Sequence, residues 1–378
     1  MGVANFFADL TYEGARGITG PFLASLGASA TVVGFVAGFG ELVGYSLRSV
    51  TGYFADRTRK YWLVTFVGYV INMLAVPALA LAGNWPVAAG FIVAERTGRA
   101  IRKPSVEAML SDAGKSIGSG WAFGLNEALD QAGAMLGPLL IALVLFRGRN
   151  YQSAFALLLI SAILCLGIVA VARLSHGRSQ SVERAASPTL AMPLSLMPYW
   201  IYVAAGALIA AGFADFSLIG FHFRKASVVS DGVIPIYYAA AMGTGAVGSL
   251  LFGRLLDKLG QKVIVFVFLV SALFAPCVFL GNSVVAFAGM ALWGLSMGAQ
   301  DSLLKAVLTP VVPAGKRSRA FGLFDTVYGV AWFLGSALMG FLYDKSIVAL
   351  VLFSVVLQVA ALPLLICANL HPSNRGQS

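Results

Sequence analysis

Charged side chains stand inside apolar stretches of this chain at helical spacing. Asp9, Glu13 and Arg16 occupy positions i, i+4 and i+7, which places them within an arc of about 60° on one helix face. A carboxylate beside a base stays ionised, whereas a carboxylate removed from water without a base takes up a proton more readily. The stripe therefore predicts either fixed ion pairing or reversible proton binding.

A second stripe repeats this geometry further along the chain. Glu95, Arg99 and Arg102 have the same i, i+4 and i+7 spacing. Glu95 can pair with Arg99 at i+4, as Glu13 can pair with Arg16 at i+3 in the first stripe. The sequence therefore predicts ion pairs within each of the two helices.

Three acids have no base one turn away along the helix: Asp9 of the first stripe, Glu127 and Asp130. They are the better candidates for proton carriage. The full predicted proton-coupling set is Asp9, Glu13, Glu127 and Asp130. A structural interpretation has equal weight for any one of them, because buried ion pairs in helix bundles often only fix helix positions.

Arginines inside the apolar stretches suggest a second kind of chemistry. They are Arg16, Arg48, Arg96, Arg99 and Arg102. Guanidinium groups recognise carboxylates and phosphates, so these residues are candidates for binding a small anion. The alternative is that Glu13, Glu41 and Glu95 neutralise the arginines. The predicted substrate-binding set is Arg16, Glu95, Arg99, Arg102, Asn126, Asp215, Asp301 and Asp325.

Membrane-spanning helices are the elements predicted to carry these residues. Hydrophobic residues make up 59% of the 378 residues and charged ones only 11%, against roughly a quarter charged in soluble domains. A charge that faces mid-bilayer lipid costs about 3 kcal/mol, so these groups must face one another or water. Twelve apolar runs are long enough to span a membrane as helices: 4–26, 30–54, 61–83, 86–111, 119–146, 151–172, 199–222, 233–255, 263–281, 284–311, 319–343 and 346–369.

Basic residues predict how these spans are oriented. With both termini in the cytoplasm, fifteen Lys and Arg lie on the inner side and five on the outer side, as the positive-inside rule expects. Basic loops beside anionic lipid account for the net charge of +10 without a nucleic-acid partner. A cytoplasmic linker at 173–197 separates the predicted halves, 1–172 and 198–371, and a short tail follows at 372–378.

Several functional classes find no support in the sequence. The three cysteines lie singly in apolar runs, and the three histidines lack metal-ligand spacing. The chain has no Walker phosphate-binding motif. We therefore predict no cofactor, no metal site and no enzyme activity.

Three short motifs occur twice in the same order, displaced by 206, 201 and 198 residues. The copies are Phe7–Thr11 and Phe213–Ser217, Gly52–Lys60 and Gly253–Lys262, and Ala122–Leu125 and Ala320–Leu323. Such a repeat predicts two related halves of six helices each. Because each half has an even number of spans, the halves are expected to run parallel.

The second of these repeated motifs is a short charged loop between apolar spans, at Gly52–Lys60 and again at Gly253–Lys262. It resembles the GxLaDrxGrk motif of the major facilitator superfamily. The matching residues are Gly52, Asp56, Arg57, Gly253, Asp257 and Lys258. Phe54 and Arg59 depart from the motif in the first copy. The resemblance implies that this loop latches the two halves on the cytoplasmic side, so the matching residues are predicted to act in gating.

The fifth span carries a partial match to the antiporter signature of the same family, gxxxGPxxGG. Gly133, Gly137 and Pro138 match, whereas Ile141 and Ala142 replace the final glycine pair and weaken the antiporter inference. The resemblance implies an alternating-access carrier whose central cavity is lined mainly by the first, fourth, seventh and tenth of the twelve spans.

Together, the sequence and the resemblance predict an all-α membrane protein with twelve transmembrane helices in two parallel halves. The predicted function is proton-coupled efflux of a small molecule, by a monomeric antiporter in a bacterial inner membrane. Two alternatives stay open. One is an importer or exchanger of a small anionic metabolite, such as a carboxylate or a phosphate ester. The other is a non-transporting assembly or sensor protein on the same fold.

Overall fold

The computed structural model describes residues 1–58, 60–117, 119–175, 197–259, 262–312 and 317–370. Every regular element in these ranges is helical, with a 3₁₀ turn at Leu79–Leu81. The first six helices are α1 Gly2–Ser25, α2 Ala30–Thr58, α3 Tyr61–Ala78, α4 Trp85–Ile117, α5 Ser119–Phe146 and α6 Tyr151–Ser175. The others are α7 Met197–Gly212, α8 Phe216–Lys225, α9 Ile234–Leu259, α10 Lys262–Ser271, α11 Phe274–Leu280, α12 Ser283–Val311, α13 Arg317–Lys345 and α14 Ile347–Leu370.

The twelve-span, all-helical architecture predicted from the apolar runs is confirmed. Two predicted spans each consist of two helical segments, since α7 and α8 form the seventh and α10 and α11 form the ninth. Nine stretches of the described chain are long and apolar enough to cross a membrane, and Val265–Leu280 is a shorter one. α1 and α4 stand outside this set, and they are the two helices that carry the charged stripes.

The break between α7 and α8 is buried and its backbone is hydrogen-bonded. The Asp215 carboxylate caps α8 by accepting a hydrogen bond from the Ser217 amide at 2.8 Å. The Trp293 indole donates to the Ala214 carbonyl at 2.9 Å, and the Ser354 hydroxyl donates to the Gly212 carbonyl at 2.6 Å. Because lipid offers no hydrogen bonds, a helix break at this depth persists only with such partners.

Glycines bring α1 and α5 into close contact. A Cβ added at Gly133 would lie 2.4 Å from the Phe6 carbonyl oxygen, and one at Gly137 would lie 2.4 Å from that of Leu10. The helix-5 motif therefore has a packing role on α1 in this structure, and Pro138 continues the contact toward Gly17.

The chain divides into two compact units. The first comprises Met1–Ala28, Phe39–Ser187 and Gly220–Ala239, and the second comprises Ser29–Gly38, Pro188–Ile219 and Ala240–Ser378. Each unit thus includes a short segment from the other sequence half. Most of the predicted linker, 176–196, and the predicted tail lie outside the described residues.

Candidate functional site

Three glutamates and three arginines from α1, α2 and α4 form one buried group, the glutamate-arginine cluster. Its members are Glu13, Arg16, Glu41, Glu95, Arg96 and Arg99. None of these side chains is more than 13% exposed. The formal charges of three carboxylates and three guanidinium groups balance.

Glu41 lies at the centre of this cluster. Its Oε1 atom is 3.1 Å from Arg16 Nη2, 2.9 Å from Arg96 Nη1 and 3.9 Å from Arg99 Nη2. One carboxylate on α2 therefore contacts guanidinium groups from both α1 and α4. Although Glu41 was expected to neutralise arginines, it was not among the predicted site residues.

The ion pairs predicted within α1 and within α4 are long. Glu13 lies 4.0 Å from Arg16, and Glu95 lies 3.9 Å from Arg99. Glu13 also accepts a hydrogen bond from the Tyr238 hydroxyl on α9. Glu95 and its neighbour Arg96 on α4 lie 3.2 Å apart, and the other short contacts run between helices. The cluster therefore ties α1, α2, α4 and the first turns of α9 together.

Arg102 on α4 is oriented by neutral groups. Its Nη1 donates to Asn5 Oδ1 at 3.1 Å, and its Nε donates to Asn72 Oδ1 at 3.3 Å. The guanidinium lies 4.5 Å from the ring centre of Tyr69 and 5.9 Å from that of Tyr12. These contacts fix the guanidinium without neutralising it, so its charge acts on nearby carboxylates.

Two of those carboxylates are Asp9 of α1 and Asp130 of α5, and the charge of Arg102 acts on both. A Cβ added at Gly133, one turn after Asp130, would lie 3.1 Å from the Asp9 Cβ. The Asn126 side chain donates to Asp130 Oδ2 at 2.9 Å and accepts from Asn5 at 2.9 Å. The other Asp130 oxygen, Oδ1, is buried and has no hydrogen-bond partner in the described part of the chain. Asp9 and Asp130, called the aspartate pair below, thus both lie within range of the charge of Arg102.

Glu127 lies one turn before Asp130 on α5 and is not part of the aspartate pair. Its exposed side chain accepts a hydrogen bond from Gln131 at 2.9 Å. Glu127 and the exposed Lys103 lie near enough to act electrostatically on Asp130, with opposite signs. Of the four predicted proton-coupling acids, the structure therefore places Asp9 and Asp130 within range of Arg102, puts Glu13 in the glutamate-arginine cluster and leaves Glu127 exposed one turn from Asp130.

The second unit contributes aromatic rings around the α7–α8 break. Phe213 stacks on Trp293 at 5.4 Å and contacts Trp332 at 5.6 Å, and Tyr328 lies 5.8 Å from Trp332. The Tyr328 hydroxyl donates to Gln300 at 2.5 Å. Of the acids predicted to bind substrate from this half, Asp215 caps α8, Asp325 is half-buried on α13, and the Asp301 side chain lies outside those described.

The structure describes only part of the predicted gate. Gly52 faces Pro104, which an added Cβ would approach to 3.5 Å, and Arg57 Nη1 donates to the Tyr53 hydroxyl at 3.1 Å. The surroundings of Gly253 and the side chains of Asp56, Asp257 and Lys258 lie outside the described set. The gating assignment stays a prediction.

Several side chains of the site had not been predicted. They are Asn5, Tyr12, Tyr69, Asn72 and Tyr238. All are uncharged polar residues inside apolar helices. Burying such a group without a hydrogen bond is costly, so its presence in an apolar run is the one sequence signal that it has a partner. Asn72 carries the clearest signal because it lies in the middle of an otherwise apolar span.

Comparisons with known proteins agree on the kind of molecule. The model of the Major Facilitator Superfamily matches residues 1–336 and 218–377. An uncharacterized protein of Mycobacterium tuberculosis is 36% identical over 98% of this chain and 92% of its own length. An uncharacterized MFS-type transporter of Methanocaldococcus jannaschii is 26% identical over 92% of this chain and 88% of its own. A crystal structure of a variant of the nucleoside transporter NupG superposes with a TM-score of 0.79 at 14% identity, over 96% of this chain and 98% of that one.

Proposed function

The chain belongs to the Major Facilitator Superfamily, and on that premise we propose that it is a secondary transporter that couples movement of a small molecule to protons. Alternating access of a central site would carry the molecule across the membrane. The proposal places the protein in a bacterial inner membrane as a monomer, with both termini in the cytoplasm and the lipid bilayer around it. The distribution of Lys and Arg supports that orientation.

The observation that carries the proton coupling is the charge balance around Arg102. Two carboxylates, Asp9 and Asp130, lie within range of this one guanidinium, Asp9 is buried, and the unpaired Oδ1 atom of Asp130 is buried as well. Two like charges at close range cannot both be ionised without a large cost, so such a pair holds one proton. That proton is available for exchange whenever water reaches the pair from either side.

The glutamate-arginine cluster argues for a neutral or cationic substrate over an anion. An anion would have to displace a carboxylate from Arg16, Arg96 or Arg99, each of which contacts a glutamate. A cation could instead compete with the proton at the aspartate pair. The partial antiporter motif at Gly133, Gly137 and Pro138 also favours exchange of a substrate for protons.

Proton flux into proteoliposomes tests this proposal. The purified protein is reconstituted with a pH-sensitive dye inside, and tetraphenylphosphonium and inorganic phosphate are compared as probes of opposite charge. We expect tetraphenylphosphonium to drive proton movement in the wild type and not in Asp9→Asn or Asp130→Asn. Glu107→Gln serves as the matched control, because it makes a similar acid-to-amide change at an exposed position of α4. Wild-type flux in both aspartate variants would refute the proton assignment.

A further inference from the structure

Tyr238 connects the charged cluster to a contact between helices that are far apart in sequence. Its hydroxyl donates a hydrogen bond to Glu13 on α1, and the residue is fully buried. The ion pairs of Glu13 are long, at 4.0 Å to Arg16 and 3.9 Å to Arg99. The phenol is therefore the closest polar partner that the described residues give to this carboxylate.

The position of the Tyr238 ring depends on how α9 packs against α1. A Cβ added at Gly17, one turn after Glu13, would lie 3.4 Å from the Tyr238 ring and 3.5 Å from Pro235. Glycine at position 17 thus lets the first turns of α9 lie directly on α1. The Tyr238 hydroxyl reaches Glu13 only while this contact is closed.

Three further contacts hold the segment that precedes Tyr238. Arg224 Nη1 donates to the Asp231 carboxylate at 2.8 Å and to the Tyr151 hydroxyl at 2.7 Å. A Cβ added at Gly232 would approach the Phe146 ring to 3.0 Å. The connection between α8 and α9 therefore packs on the adjacent ends of α5 and α6. Tyr238, which follows this connection, makes the contact that reaches the glutamate-arginine cluster.

We propose that Tyr238 is a positioning residue that links the state of the glutamate-arginine cluster to closure of α9 against α1. This inference rests on the proposed transport function. When the first turns of α9 leave α1, Glu13 loses its hydrogen bond, and Arg16 and Arg99 must move toward it and away from Glu41. Separation of the two helices and rearrangement of the cluster are therefore one event, which is what alternating access requires.

Distance measurements between spin labels test the proposal without a substrate. Labels are attached to cysteines introduced at two exposed positions, Ser25 at the end of α1 and Ser230 before α9. Cys277 and Cys367 are replaced by serine in this background, because they are the free cysteines that are not buried. In Tyr238→Phe, we expect the ratio of separated to closed molecules to rise about tenfold, which corresponds to about 1.4 kcal/mol.

Two controls separate this role from general packing. Tyr237→Phe also removes a tyrosine hydroxyl, but from the preceding residue, whose ring packs against Phe223. We expect this variant to leave the distances between the spin labels unchanged. In Glu13→Gln the added effect of Tyr238→Phe is expected to fall below about threefold, because the charge that strengthens the hydrogen bond is gone. Wild-type distances in Tyr238→Phe, or a full effect in the Glu13→Gln background, would overturn the proposal.

The proposed function fails separately. If the wild-type protein moves no protons with either probe in proteoliposomes, proton-coupled transport of these probes is refuted, while the distance measurements still decide whether Tyr238 couples cluster and helix contact.

Discussion

Replacing Glu41 by glutamine should destabilise the fold more than any other single acid-to-amide change in this chain. Glutamine has nearly the same size, so the change removes charge and little packing. The 2.9 Å and 3.1 Å contacts to Arg96 and Arg16 then lose their anion, and three buried guanidinium groups face two carboxylates. Breaking a buried pair in this way costs about 3–5 kcal/mol. Equilibrium unfolding by SDS in mixed micelles measures the loss.

The matched control for this prediction is Glu127→Gln, which changes an exposed acid on α5 and should alter the unfolding free energy by no more than about 0.5 kcal/mol. A double variant, Glu41→Gln with Arg96→Gln, restores neutrality and should recover at least about half of the loss. If Glu41→Gln is as stable as Glu127→Gln, the cluster does not depend on Glu41. If the double variant is less stable than the single one, charge balance is not the reason.

Two further predictions concern packing and the helix break. Gly137→Ala should cost about 1–3 kcal/mol in the same unfolding assay, because the new methyl would meet the Leu10 carbonyl at 2.4 Å. Gly167→Ala, where a Cβ meets nothing within 4 Å, is its control and should be neutral or slightly stabilising, and equal losses would contradict close α1–α5 packing. Trp293→Phe should cost about 1–3 kcal/mol, since it removes the indole donor to the buried Ala214 carbonyl. An unchanged stability would mean that this carbonyl finds another donor.

The number and nature of the spans could be predicted because a bilayer demands long apolar helices. The break at residues 213–215 could not, since the run from Met197 to Lys225 reads as one apolar stretch. The groups that satisfy its free carbonyls, Trp293 and Ser354, lie far along the chain. Local sequence carries no record of such partners.

The candidate site was predictable in outline only. Helical spacing puts Asp9, Glu13 and Arg16 on one face, but pairing along a helix competes with partners on neighbouring helices. Arg16 lies closer to Glu41 than to Glu13, at 3.1 Å against 4.0 Å, because three helices converge there. Only the folded chain reveals which of these partners is nearer.

The most direct test of the central claim is to detect the proton that the aspartate pair is proposed to hold. Infrared difference spectra of the purified protein, recorded across neutral pH without substrate, report protonated carboxyl groups. We expect a carboxyl band in the wild type and in Glu107→Gln that is lost or halved in Asp9→Asn and in Asp130→Asn. An unchanged band in both aspartate variants would contradict the claim.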